Sequence, residues 1–162
     1  MSAAEKTADT PLGDKIDIRR VRADDLSHVA ALDQRVTGQA KPDYWQDIFE
    51  RYATRRVDQR FFMVAESPEE KALLGYIVGE VRGWEFGSEP CGWIFAFSVD
   101  PDAREQGIGE HLFQAITEAF KKAGVQTMRT MVPRQYQLHM AFFRSEGMVA
   151  GPYIQLEKNL DD

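Results

Sequence analysis

The sequence is poor in cysteine, since Cys91 is the only one among its 162 residues. A single cysteine cannot form an internal disulfide, and it cannot supply a cysteine-based metal site. A reducing compartment is the simplest setting for such a chain, so we expect the protein to be cytoplasmic. We expect Cys91 to be a small buried residue rather than a nucleophile.

Long apolar runs are missing as well. No stretch approaches the roughly 20 apolar residues that a membrane helix needs, and the N-terminal decapeptide MSAAEKTADT lacks the apolar core of a signal peptide. We therefore expect no membrane association. The three histidines fall on different predicted helices with no metal-binding spacing, so we expect no metal cofactor.

Positive charge is in deficit, because 20 Lys and Arg against 26 Asp and Glu give a formal net charge of −6. Nucleic-acid affinity comes largely from neutralised phosphates, so this balance disfavours nucleic acid as a partner. It favours a cationic partner instead.

The chain does have enough ordinary globular sequence for one core. Its 43% hydrophobic and 28% charged residues are typical of a soluble globular protein, and 162 residues suit a single domain. Residues 1–14 are small and polar, so we expect a flexible N-terminal leader there and a single domain over 15–162.

Apolar periodicity predicts alternating strands and helices. Strand patterning lies at 16–21, 61–65, 72–81, 93–99, 125–132 and 153–156, and helical spacing at 26–33, 42–52, 110–123 and 135–144. The order β-α-α-β-β-β-α-β-α-β combines antiparallel hairpins with a strand–helix–strand crossover. It predicts a mixed α/β fold.

The hexapeptide REQGIG, residues 104–109, stands where a predicted helix begins. A helix start exposes backbone N–H groups without intrahelical partners and carries a partial positive charge, so it suits an anion. Gly107 and Gly109 would let the backbone approach a phosphate, and Arg104 would pair with it. On spacing alone, the glycines are also consistent with an ordinary turn.

The segment around REQGIG resembles the acetyl-CoA-binding segment of the GCN5-related N-acetyltransferase (GNAT) family. That family has an apolar strand ending in Val-x-Pro, then Arg or Gln, two residues, Gly, one residue, and Gly or Ala. The matching residues here are Val99, Pro101, Arg104, Gly107 and Gly109. The element order extends the resemblance, more loosely, over residues 16–158. It implies a mostly antiparallel twisted sheet of about six to seven strands, flanked by about four helices and splayed at its central strands.

The resemblance also implies a ligand and a reaction. Acetyl-CoA would be the cosubstrate, and its acetyl group would pass directly to a primary amine of a protein N-terminus, a lysine, a polyamine or a small molecule. Backbone groups near Phe97 and Val99 would pair with the pantetheine arm as with an added strand. The pyrophosphate would lie on the backbone amides of Arg104, Glu105, Gln106, Gly107, Ile108, Gly109 and Glu110.

A second family signature, Asn-x-x-Ala-x-x-x-Tyr with Gly-Phe following, aligns with residues 136–148. The position of the Tyr that often protonates the CoA thiolate holds Phe143, which has no proton to give. Phe143 is expected to contact the cofactor, and Tyr136, at the Asn position, is the candidate for the missing hydroxyl. His139, at the Ala position, would face the acetyl group or simply pack.

A base must take a proton from the acceptor, because only a neutral amine attacks the thioester. The fourth predicted strand has no acidic residue, which leaves Glu80 as the first candidate and Glu85 as the second. In the family, the loop between the first two helices covers the substrate side. Acceptor contacts are therefore expected from Lys41, Tyr44 and Trp45, although the two aromatic residues would equally pack the second helix down.

Two other functions stay open. A CoA-binding module without turnover would act as a sensor or partner-binding domain, and Phe143 favours that interpretation. A phosphate-binding protein unrelated to CoA is the other. The chain is expected to be a monomer or a homodimer.

Overall fold

The computed structural model describes residues 16–104 and 106–161, and the expected leader at 1–14 lies outside them. Within the described residues there are five strands and four α-helices. The strands are β1 (Asp17–Arg20), β2 (Arg60–Glu66), β3 (Leu73–Arg82), β4 (Cys91–Val99) and β5 (Met128–Thr130). The helices are α1 (Leu26–Thr37), α2 (Pro42–Tyr52), α3 (Ile108–Lys122) and α4 (Gln137–Ser145). None of these helices is long and apolar enough to cross a membrane.

The strands form one sheet in the order β1-β2-β3-β4-β5. The first four strands pair antiparallel with their neighbours, while β5 pairs parallel with β4 after the α3 crossover. This topology confirms the mixed α/β class and the mostly antiparallel sheet that the sequence predicts.

The described part of the chain has fewer strands than the six to seven expected, and the predicted strand at 153–156 is wrong. Residues 149–161 make no backbone–backbone hydrogen bond within the described residues. Ile154 and Leu156, the apolar residues behind the prediction, are 85% and 86% exposed. A strand needs a hydrogen-bonded neighbour, and alternation of apolar residues alone does not supply one.

Each face of the sheet carries its own apolar cluster, because the side chains of a strand alternate between faces. On one face α3 packs on the sheet through buried Phe61, Ile77, Ile94, Leu112, Ile116 and Phe120. On the other face α1 and α2 pack through buried Val29, Leu32, Trp45, Ile48, Tyr52, Phe62, Val64, Tyr76 and Val78. The sheet is therefore held rigidly from both sides, and β4 is fixed in position.

Gly79, on β3, lets α3 lie close against the sheet. A Cβ atom there would be 2.7 Å from the Trp93 carbonyl oxygen, 2.8 Å from Ile116 Cδ1 and 2.9 Å from Phe120 Cζ. These distances are too short for real carbon contacts, so this position needs glycine for packing.

An ion-pair network around Arg19 ties β1 to the turn before α1 and to β2. The Arg19 guanidinium donates to both carboxylate oxygens of Asp25, at 2.7 and 2.9 Å, and to Glu66 at 2.6 Å. Burial works to raise the pKa of Asp25, but hydrogen bonds from Arg19 and the Arg22 amide outweigh it and hold the pKa below its usual value. The hydrogen bond from Arg19 also lowers the pKa of Glu66.

The free energy of unfolding is expected to fall as the pH drops below about 4 to 5. Asp25 and Glu66 both have lower pKa values in the folded state, so the unfolded chain binds more protons in that range. Their contribution is full above the unfolded values and is lost as the pH falls through the folded ones. Urea unfolding between pH 7 and pH 3 measures this loss. Asp25→Asn should show a shallower pH dependence, and a curve parallel to that of the original chain would contradict the assignment.

Candidate functional site

The sheet opens between β4 and β5. β5 pairs with β4 only at Gly92, Trp93 and Ile94, whereas β4 continues to Val99. The chain after Thr130 leaves the sheet through Met131, Val132 and Pro133. Among the described residues, the last five of β4 therefore have no strand partner on this side, as expected of a splayed sheet, and their backbone groups can bind an extended ligand.

A β-bulge in β4 marks the point where β4 and β5 separate. Val78 of β3 lies opposite Ala96 and Gly79 lies opposite Ile94, so Phe95 is an extra residue in β4. A bulge leaves its extra residue out of the ladder and re-aims the backbone. The Phe95 ring packs on Tyr52 with their centroids 4.9 Å apart, which fixes the bulge from the side of the α2 helix.

A cleft of about 200 Å³ lies in this opening. It is lined by Ile94, Phe95, Ala96 and Phe97 of β4, by Thr130 to Pro133, and by Tyr136, His139 and Phe143 of the α4 region. Its wall is mainly apolar, and the hydroxyl of Tyr136 and the imidazole of His139 are its principal polar side-chain groups. Such a cleft suits the thioester end of an extended ligand better than its phosphates.

The N-terminus of α3 follows directly from β4. Gly107 precedes the first helical residue with a φ of +79°, a left-handed conformation that favours glycine. The amides of Ile108, Gly109 and Glu110 have no hydrogen-bond partner among residues 16–104 and 106–161. These groups can bind an anion, together with the positive end of the helix dipole. Arg104 is exposed beside them, and Glu105 lies outside the described residues.

Gly109 has a second reason to be glycine. A Cβ atom there would be 3.1 Å from the Phe142 ring and 3.3 Å from the Phe97 ring. Phe97 and Phe142 stack with centroids 5.1 Å apart, and Phe113 meets Phe142 edge-on at 6.0 Å. This aromatic cluster joins β4, α3 and α4 at the mouth of the cleft. Phe142 was not singled out from the sequence, where it reads as one more apolar residue of α4.

Phe143 lies against the cleft. It is 6% exposed, lines the cleft and packs on Phe97 at 5.8 Å. Tyr136 sits at the N-cap of α4, half exposed, and also lines the cleft. The structure therefore brings the candidate hydroxyl and the aromatic side chain that replaced the family's tyrosine into one site.

His139 lines the same cleft, so of its two expected roles the one facing the site is compatible with the structure. It lines the cleft one turn before Phe143, and its ring meets Tyr136 edge-on with centroids 5.8 Å apart. Burial, and then the positive charge of Arg104, lower the pKa of His139, so its imidazole is neutral near pH 7. The i, i+4 spacing of His139 and Phe143 was the signal that placed them on one helix face.

Glu80 lies on the face of the sheet that α1 and α2 cover, and it is not one of the cleft-lining residues. Its carboxylate accepts a hydrogen bond from Arg82 Nε at 3.0 Å and lies 3.8 Å from Arg60 Nε. It also contacts the Tyr52 hydroxyl, and burial together with this carboxylate raises the pKa of Tyr52. Glu80 therefore connects to the cleft only through Tyr52, which packs on Phe95.

The three residues expected to contact the acceptor have different surroundings. Trp45 is 2% exposed, and its indole N–H donates to the buried Asp33 carboxylate at 3.0 Å. Lys41 Nζ lies 3.0 Å from the same carboxylate. Tyr44 is 43% exposed. The surroundings of Trp45 favour the packing role. Lys41 and Tyr44, at the start of α2, remain partly accessible at the surface.

The fold of the chain is similar to the folds of solved structures that include aminoglycoside N-acetyltransferases. The structure of AAC(6')-Iy with the bisubstrate analogue CoA-S-monomethyl-acetylneamine matches it with a TM-score of 0.77 and 15% identity, covering 89% of this chain and 97% of that one. Aminoglycoside 6'-N-acetyltransferase AAC(6')-Ih from Acinetobacter baumannii has a TM-score of 0.74 and 17% identity, with 90% and 99% covered. A transcriptional regulator from Bacillus halodurans C-125 has the same TM-score and 19% identity, with 90% and 99% covered.

Family membership follows from the match between this sequence and a family model. The acetyltransferase (GNAT) family model matches residues 23–145, about three quarters of the chain. The protein is thus a member of the GNAT family of acetyltransferases. A search of curated proteins finds no match.

Proposed function

We propose that the protein is an acetyl-CoA-dependent N-acetyltransferase that transfers the acetyl group directly to a primary amine. The observation that carries this proposal is the open edge of β4 beside the free amides at the start of α3. One surface thus offers an anion site and an adjoining backbone edge, as an extended ligand with a pyrophosphate requires.

In this proposal the pyrophosphate of acetyl-CoA lies on the backbone amides of residues 104–110. The amides of Ile108, Gly109 and Glu110 are the described donors without partners. The pantetheine arm pairs with backbone groups of Phe97 and Val99, and its thioester end lies in the cleft against Phe143. The N–H groups of the backbone provide most of the affinity for the pyrophosphate, because the negative charges of Glu110 and Glu105 repel an anion.

The amine attacks the thioester carbonyl, and the carbonyl oxygen becomes an oxyanion in the tetrahedral intermediate. The Phe95 amide is the proposed donor to that oxyanion, since a bulge frees the extra residue from the ladder. Collapse of the intermediate breaks the C–S bond and releases CoA. The sequence offers Tyr136 as a candidate proton donor to the sulfur and Glu80 as a candidate base acting through a relay; the alternative to both is argued in the next subsection.

The acceptor is a primary amine, and a small polycationic one is favoured. Two neighbours in fold are aminoglycoside N-acetyltransferases, and this chain carries a formal net charge of −6, which steers cations towards it. Lys41, at the N-cap of α2, and Tyr44, in its first turn, are proposed acceptor contacts, with the buried Trp45 fixing the start of this helix. A protein lysine, a protein N-terminus and a polyamine are the other acceptors to test.

A CoA-binding module without turnover is the second candidate. The observation that favours it is Phe143, because the side chain at the usual acid position is buried and has no proton to donate. Both candidates bind CoA, so only turnover separates them.

The test measures CoA thiol release from acetyl-CoA with and without an amine. The panel contains sisomicin, spermidine, a peptide with a lysine and a peptide with a free N-terminus. We expect release that depends on at least one amine and yields its acetylated product by mass spectrometry. CoA that raises the melting temperature without amine-dependent release would establish the binding module. No shift in melting temperature would overturn both.

A further inference from the structure

The proposed reaction needs a side chain that accepts and donates a proton. Phe143 cannot do this, because its ring has no titratable group. The attacking nitrogen must lose a proton when the C–N bond forms, and the sulfur must gain one when the C–S bond breaks. A single side chain that reaches both atoms would perform both transfers. This inference rests on the proposed function.

His139 is placed for this task by the fold of α4. It stands one helical turn before Phe143 on the same face, and both line the cleft beside Phe95 of the bulge. Its ring is partly buried and lies edge-on to Tyr136. Within the described residues neither ring nitrogen of His139 has a hydrogen-bond partner, so both are available to a substrate.

The groups that face His139 keep it in the form that accepts a proton. Arg104, from the loop between β4 and α3, is the charged group that acts on it, and Tyr136 is the titratable neighbour on its own helix. Glu105, next to Arg104 in sequence, lies outside the described residues. Burial and the Arg104 charge both lower the pKa of His139. A neutral imidazole accepts a proton readily, and the imidazolium it becomes is a correspondingly better acid.

We propose that His139 carries the proton from the attacking nitrogen to the leaving sulfur. Its free ring nitrogen takes one N–H proton as the new C–N bond forms. The imidazolium then gives that proton to the CoA sulfur as the C–S bond breaks, so His139 ends as it began. The acceptor enters as the neutral amine, and any earlier proton of its ammonium form goes to water. The products are the N-acetylated amine and CoA thiol.

His139→Gln tests this role with the acceptor that gives the highest rate in the panel above. We expect kcat to fall by about 100-fold or more while the Kd for CoA stays within about twofold. In the original protein, kcat/KM should fall on the acid side of a pKa below the usual histidine value near 6.5, and His139→Gln should lose that limb. The matched control is His28→Gln, an exposed histidine on α1, whose profile should not change.

Glu80→Gln is the competing variant, because Glu80 was the base predicted from the sequence. Loss of the acid limb in Glu80→Gln, with His139→Gln keeping it and its rate, would overturn the role of His139. Retention of kcat within about threefold in His139→Gln would overturn it too. If the original protein releases no CoA with any amine, the proposed function and this inference both fail. If the original protein is active but His139→Gln keeps its rate, only this inference fails.

Discussion

Replacing Gly107 with glutamate is expected to abolish CoA binding. Gly107 precedes α3 with a φ of +79°, and a Cβ atom there would be 3.3 Å from Glu110 Oε2. A glutamate would therefore meet a like charge, strain the backbone and repel the pyrophosphate. Losing two charge-assisted hydrogen bonds costs about 3 kcal/mol, so the Kd should rise about 100-fold or more. Isothermal titration calorimetry with CoA measures this change.

Gly124→Glu is the matched control for the backbone strain. Gly124 follows the other end of the same helix with a φ of +86°, and a Cβ atom there would have no neighbour within 4 Å. This variant carries the same side chain and a similar strain but lies away from the site, so its Kd for CoA should be unchanged. Equal losses in both variants would show that helix stability, and not contact with the phosphates, sets the affinity.

Gly79→Ala is expected to destabilise the protein by about 3 kcal/mol. The added methyl group would collide with the Trp93 carbonyl, Ile116 and Phe120, and one of these is backbone that cannot move aside. The α3 helix would have to shift away from the sheet. Urea unfolding monitored by tryptophan fluorescence gives the free energy of unfolding.

Gly83→Ala controls for the general effect of replacing a glycine at the same end of β3. Its added methyl group would lie 3.5 Å from Pro90 Cγ, an ordinary contact, and Gly83 is exposed. We expect a change within about 0.5 kcal/mol. A loss for Gly79→Ala no larger than that of Gly83→Ala would contradict the close packing of α3 on the sheet.

Local sequence signals predicted the four helices well. Pro42 at the start of α2, Gly107 before α3 and the apolar spacing of Leu112 and Ile116 are chemistry that acts within a few residues. The start of α3, and with it the proposed anion site, could therefore be located before any tertiary contact was known.

Features that depend on a partner strand could not be predicted in this way. The predicted strand at 125–132 is only Met128–Thr130, because β5 leaves β4 after Ile94. The bulge at Phe95 arises from the register between β3 and β4, and no local sequence pattern predicts that register. Residues 153–156 carry apolar residues typical of a strand but have no hydrogen-bonded neighbouring strand within the described residues.

The roles of individual polar residues were also decided by tertiary contacts. Trp45 looked like an acceptor contact at a loop, and its indole N–H is instead bound to the buried carboxylate of Asp33. Glu80 lies near the end of a central strand, yet its carboxylate pairs with Arg82 and Arg60 and does not line the cleft. His139 shows the opposite outcome: packing was one of its two expected roles, and its side chain lines the cleft.

A crystal structure of the protein with CoA bound tests the central claim most directly. The account predicts pyrophosphate oxygens that accept hydrogen bonds from the amides of Ile108, Gly109 and Glu110. It also predicts a pantetheine arm paired with Phe97 and Val99, with the sulfur in the cleft beside His139 and Phe143. CoA bound elsewhere on the chain, or a sulfur outside the cleft between β4 and β5, would contradict it.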